Sequence, residues 1–220
     1  LGGLAVLVAV AILSAIGYRV MIDVKPDVTR PVVDPAARAE IEALRARLMR
    51  HVMVLAGEIG ERNVFRPEGL KAAAEYIRAV WTAQGYSVAE EVSQVAGQRC
   101  VNLIIEHPGS RRPGEIVLVG AHYDSLIGTS GANDNATGVA VLLEMSAILK
   151  QASLARTLRL VAFVNEEPPW FHTERMGSRT HARNARRRGD PIVAMVALET
   201  LGYYSGTPGS QRYPFPFGVF

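Results

Sequence analysis

Short apolar runs rich in β-branched residues alternate with helical patterns along the later part of the chain, and this alternation constrains the fold most. The runs are Cys100–Glu106 (CVNLIIE), Glu115–Ala121 (EIVLVGA), Thr157–Val164 (TLRLVAFV) and Ile192–Leu198 (IVAMVAL). Helical patterns lie between the later ones, over Ala136–Lys150 and about Met176–Arg188. Strands that are apolar nearly throughout are buried on both faces, and strand–helix alternation favours parallel pairing. The spacing therefore predicts a sheet covered on both sides and largely parallel in this half. Two helices precede it. Ile41, Leu44, Leu48, Val52 and Leu55 follow three- and four-residue steps, and a second pattern from about Pro67 to Gln84 stops at Gly85, a residue suited to a helix C-terminal cap.

The chain of 220 residues is 49% apolar and 20% charged, enough to bury a sizeable core, which excludes disordered, collagen-like and coiled-coil classes. Its net charge is +3 and its pI near 9.2. The basic residues are scattered, so no nucleic-acid partner is expected. A single cysteine, Cys100, leaves neither an internal disulfide framework nor a thiolate metal cluster. From Leu1 to Tyr18 there is no charge. As a helix this stretch reaches about 27 Å, close to a bilayer core of roughly 30 Å. The expectation is a transmembrane anchor or signal segment over residues 1–22, with cleavage after a small residue such as Gly17 in the signal case. Pro26, Pro31 and Pro35 then mark a linker over 23–35. Residues 36–220 read as one domain, placed outside the cytoplasm on a membrane anchor, or secreted if the segment is removed.

Residues at the carboxyl ends of the last three apolar runs carry the chemistry. His122-Tyr123-Asp124 comes after the second run, Asn165-Glu166-Glu167 after the third, and Glu199 after the fourth. Ligands of open α/β sheets bind outside the carboxyl ends of the strands, so these strands deliver His and carboxylates to one edge. Asp134 joins them from the loop GTSGANDNATG. Such groups repel one another unless a cation neutralises them. Imidazole with carboxylates and no thiolate suits zinc, with manganese or cobalt also possible. The surplus of carboxylates over one tetrahedral ion fits a bridged pair of ions, and adjacent glutamates fit a division into ligand and base.

The series HYDS, GANDNATGVAVLLEMS, NEEPPWFHTERMGSRTHAR and ALETLGYY resembles the zinc-dependent exopeptidases of the bacterial leucyl aminopeptidase, aminopeptidase Y and glutamate carboxypeptidase type. The likeness runs from about residue 40 to the end. It implies a di-zinc aminopeptidase acting on peptides, on a three-layer α/β/α sandwich. With the strand reading, the expected class is α/β with a mixed, largely parallel sheet, preceded by an N-terminal hydrophobic helix. The resemblance assigns His122 and Glu199 to the first zinc, Asp134 to both, Glu167 to the second and Glu166 to the general base. It makes Asp124 the residue that orients the His122 ring, and the Asp134–Asn135 peptide cis.

The family's second zinc takes a further His downstream of the Glu199 position, whereas the histidines here are His51, His107, His122, His172 and His181. The chain is therefore expected to be C-terminally truncated, with His172 as a substitute ligand in the other case. Trp170 and Phe171 either line a substrate pocket or pack. Trp81, Leu143 and Met145 read as core, and Arg186, Arg187 and Arg188 as a solvated helix end. The same fold also serves glutaminyl cyclases, which keep one zinc, and silent membrane-anchored receptor ectodomains, which lose ligands. The residues kept here favour the peptidase.

Overall fold

The computed structural model describes residues 8, 10–15, 34–203 and 205. The chain divides into two compact units, Leu1–Glu40 and Ile41–Phe220. In the first, residues 8 and 10–15 are helical, and Val8, Val10, Ile12 and Leu13 are exposed. Among the described residues no helix is long and apolar enough to cross a membrane. The expected transmembrane helix is thus corrected, and with it the membrane partner and the membrane-anchored placement built on it. The rest of that segment, and the Pro-rich stretch as far as residue 33, lie outside the described residues.

From residue 35 onward the elements are α1 (Pro35–Val52), a wider-turned continuation (Met53–Ile59), α2 (Pro67–Ala83), β1 (Ala89–Val95), β2 (Gln98–His107) and β3 (Arg112–His122). They are followed by α3 (Thr137–Leu149), β4 (Arg156–Phe163), α4 (Gly177–Arg188) and β5 (Ile192–Ala197). The strands form one five-stranded sheet in the order β1-β2-β4-β3-β5. β1–β2 and β2–β4 pair antiparallel, whereas β4–β3 and β3–β5 pair parallel. The sheet is therefore half antiparallel, and the expectation of a largely parallel one is corrected.

Two connections explain this. β1, with the sequence AEEVSQV, is too polar to stand out as a strand, and it meets β2 through the turn Ala96–Gly97, whose φ angles are 50° and 78°. Such two-residue turns join antiparallel strands. The short connection after β2 reverses the chain again, and α3 then carries it back to lay β4 parallel to β3. β4 inserts between β3 and β2, so it must oppose β2.

The main core lies on the face covered by α2 and α3, where Leu70, Ile77, Trp81, Leu142 and Leu143 meet Leu103, Ile105, Val119 and Leu160. Trp81 is fully buried and donates from Nε1 to Ser146 Oγ at 3.1 Å. On the other face Ile104, Leu118, Val161 and Phe163 form a smaller cluster. α4 reaches that face through Gly177, His181 and Ala185, four residues apart, although the rest of its sequence is strongly polar. The result is an α/β/α arrangement around a mixed sheet. Its register sets Gly120 beside Ala197 and His122 beside Phe163, so the carboxyl ends of β3, β4 and β5 share one edge.

Candidate metal centre

His122 is the last residue of β3 and its side chain is 2% exposed. Its Nε2 lies 3.0 Å from Asp134 Oδ1, 3.4 Å from Glu199 Oε1 and 3.7 Å from Glu166 Oε2. One ligand atom from each of His122, Asp134 and Glu199 lies within 4.8 Å of the other two. These three form the candidate metal-binding group among the described residues. His172, the substitute ligand considered from the sequence, is not part of it. Its ring packs on Phe171, with centroids 4.0 Å apart.

The donor chemistry fits a cation. Neutral imidazole nitrogen and carboxylate oxygens present lone pairs to one another, an arrangement that needs a positive charge at its centre. The ring itself answers that need. Burial works against its charge, yet Asp124 and Glu199 outweigh burial and draw the His122 pKa up to about 11. The other ring nitrogen, Nδ1, is buried and makes no hydrogen bond, and Asp124 Oδ1 stands 3.4 Å from it. A zinc-bound imidazole with its second nitrogen facing a carboxylate is the usual way such a ligand is oriented.

Asp124 also organises the glutamates. Its two oxygens accept the backbone N–H groups of Glu166 and Glu167, each at 3.1 Å. Burial, then the charges of neighbouring carboxylates, raises the Glu166 pKa. Burial and then Asp134 bring Glu167 to about 7. Asp134 sits in the Ala132–Ala136 turn before α3, and its peptide bond to Asn135 is cis, as the resemblance implies.

Two residues that hold this edge escaped the sequence reading. Asn135 is fully buried, and its Nδ2 donates to Leu198 O at 2.8 Å and to Glu199 Oε2 at 3.3 Å. Its Oδ1 accepts from Gly138 N and Thr200 N, so one amide ties the Asp134 turn to the Glu199 segment. Its place directly after Asp134 was the only available signal. The other is Arg62, wholly buried, whose pKa burial lowers to about 10 while Asp124, Asp134 and Glu167 act in the opposite sense. Nothing in its local sequence marks it, since these carboxylates are more than sixty positions away.

A cavity of about 260 Å³ borders His122, Glu166 and Glu199, and its other walls include Phe163, Met176 and Leu198. Trp170 and Phe171 are not among its lining residues. Trp170 packs against the main core, and Phe171 is 45% exposed.

Comparison with known proteins gives this geometry its family. The sequence profile of Peptidase family M28 matches residues 102–214. The chain is 35% identical to the protein YfbL of Escherichia coli (strain K12) over 195 residues, covering 85% of this chain and 59% of that protein. It is 42% identical to the aminopeptidase YwaD of Bacillus subtilis (strain 168) over 71 residues, which are 32% of this chain and 16% of that one. Among solved structures, an Acidobacteriales bacterium glutaminyl cyclase superposes with a TM-score of 0.60 at 22% identity, over 73% of this chain and 58% of that one. That likeness concerns the fold. The chain spans less than two thirds of the length of each of these proteins. The profile match takes in β3 to β5 and every residue of the triad, and the chain belongs to peptidase family M28.

Proposed function

We propose that the protein is a zinc-dependent exopeptidase that removes N-terminal residues from peptides. The observation that carries this reading is the convergence of His122, Asp134 and Glu199, with the Glu166 carboxylate 3.7 Å from His122 Nε2. His122, Asp134 and Glu199 would hold the ion, a three-residue set of the catalytic type. Zinc supplies Lewis acidity there, polarising a carbonyl and lowering the pKa of water. Glu166 takes the proton of the attacking water on its side-chain oxygen and returns it to the leaving amine. Burial raises its pKa, the direction that suits a general base working near neutrality. Asp124 keeps the His122 ring and the Glu166 amide in register. A second ion, which Asp134 and Glu167 would hold, belongs to the same reading. It is supported by the Glu167 carboxyl, whose pKa is raised by burial and then by the charge of Asp134, a charge that a cation would offset.

A second reading is acyl transfer of the glutaminyl-cyclase kind, favoured by the single triad among the described residues. Turnover of an aminoacyl anilide against cyclisation of an N-terminal glutaminyl peptide separates the two. For the peptidase, Glu166→Gln should lower turnover by roughly 10²–10⁴ while zinc content stays intact. A variant with full activity, or one that has lost its zinc, would remove Glu166 from the role of base.

A further inference from the structure

Arg62 lies between α1 and α2 in sequence, on neither a strand nor a helix, and is 0% exposed. Its guanidinium reaches only main-chain carbonyls. Nε donates to Tyr123 O at 2.6 Å and Nη2 to Gly131 O at 2.8 Å. Nη1 serves Gly60 O at 3.1 Å, Leu55 O at 3.3 Å, and Ser130 O. The backbone of the same residue pairs with Ser125: Ser125 N donates to Arg62 O at 3.0 Å, and Arg62 N donates to Ser125 Oγ at 3.1 Å.

Taking a guanidinium out of water is costly before its contacts are counted. No carboxylate is among its hydrogen-bond partners in the described residues. The positions of the carbonyls explain why the charge is kept. Tyr123 stands between His122 and Asp124, while Ser130 and Gly131 open the loop that carries Asp134. The planar fork is rigid and donates in fixed directions, so it spans the end of β3 and that loop at a set distance. The loop packs closely against it and against Ser125, whose Cβ would lie 2.6 Å from a Cβ at Gly131. A Cβ at Gly131, where φ is +55°, would lie 3.0 Å from Arg62 Nη2 and 2.4 Å from Asp134 O. The fork also places a fixed positive charge close enough to Asp124, Asp134 and Glu167 to interact with all three.

We propose that Arg62 is a positioning residue of the metal centre: it holds the end of β3 and the 130–134 loop at the separation where His122 Nε2 and Asp134 Oδ1 converge, and so sets the affinity of the triad for zinc. The inference rests on the zinc-dependent reading of the site.

The test measures zinc affinity of the intact chain by competition with a chromophoric chelator, with folding followed by circular dichroism and thermal melting. Arg62→Ala should bind zinc about 10–100-fold more weakly, the scale on which groups that support metal ligands act. Arg62→Lys keeps the charge and most of the stem but lacks the fork, and should be weakened as well. Millimolar methylguanidinium should restore much of the affinity of Arg62→Ala. If Arg62→Ala fails to fold, Arg62→Lys carries the test. A folded Arg62→Lys with unchanged zinc affinity, or variants that lose melting temperature alone, would overturn the proposal. Absence of zinc binding by the unsubstituted chain would overturn the zinc reading itself, a result the variants cannot mimic.

Discussion

Glu91 shows how single side chains away from the metal centre govern the response of the molecule to acid. It sits on β1, with its side chain 8% exposed, and accepts from His181 Nδ1 at 2.9 Å, Arg188 Nη1 at 3.0 Å and Asn102 Nδ2 at 3.3 Å. Burial alone would raise its pKa, but these donors overcome it and hold the carboxyl down to about 2. An ordinary Glu titrates near 4.3. A depressed carboxylate stabilises the fold above the unfolded value, and that contribution is lost as pH falls through the folded one. Stability should therefore decline between about pH 4.3 and pH 2. Glu91→Gln should cost roughly 1.5–3 kcal/mol near neutrality, as loss of hydrogen bonds to a charged group does, and the difference should vanish near pH 2. Urea titrations at several pH values would measure it, and a difference independent of pH would refute the assignment. At this scale the sequence was informative where chemistry follows a strand directly. His122, Asp134 and Glu199 were legible because a strand end or a glycine-bracketed loop announces each of them. Arg62 and Glu91 were not, because their partners are brought to them only by the tertiary fold.

Helix α4 illustrates the same limit for whole elements. Its pattern is visible in the sequence, and its end at Gly189, with φ +71°, is where a C-terminal cap belongs. Its docking is decided by one close approach that a pattern does not reveal. A Cβ at Gly177 would meet Val164 O at 2.3 Å and Asn102 Oδ1 at 2.4 Å. Asn102 binds both sides of this junction, donating to Gly177 O at 2.9 Å and accepting from Val164 N at 3.1 Å. Since the facing atoms include backbone, Gly177→Ala should cost about 1–3 kcal/mol through overpacking and shift α4 from the sheet. Chemical denaturation would measure the loss, and faster amide exchange over 177–188 would locate it. Unchanged stability would show that the start of α4 is not held tightly. The helices and apolar strands were read from periodicity to within a few residues. β1 was not, since its residues are half exposed and polar. With β1 went one of the two antiparallel pairs, because the Ala96–Gly97 turn sets the direction of that pair, and the other, β2–β4, depends on the strand order, which the sequence does not give.

For the molecule as a whole, the triad acts as a clasp between parts distant in sequence. His122 ends β3, Asp134 lies in the turn before α3, and Glu199 follows β5. Much of β5 is exposed, including Val193, Met195 and Val196, so its attachment depends on its ladder with β3 and on contacts at its carboxyl end. Those contacts come from the Asp134 side: Asn135 Nδ2 to Leu198 O, Thr137 Oγ1 accepting from Leu201 N at 3.0 Å, and Asn133 Oδ1 accepting from Gly202 N at 2.8 Å. An ion shared by the three ligands would close this edge only in the folded state, because the unfolded chain does not bring them together. Zinc at a hundred times its dissociation constant should therefore add about 2.7 kcal/mol to stability. For a chain of this size that corresponds to a rise in melting temperature of roughly 5–11 °C. Glu199→Gln should abolish most of the rise, measured from the variant's own zinc-free melting temperature, because it removes one of the three ligand groups. Thermal melts with zinc and with chelator would decide it. A melting temperature indifferent to zinc, or a rise of equal size in Glu199→Gln, would mean that the three groups do not act as one site.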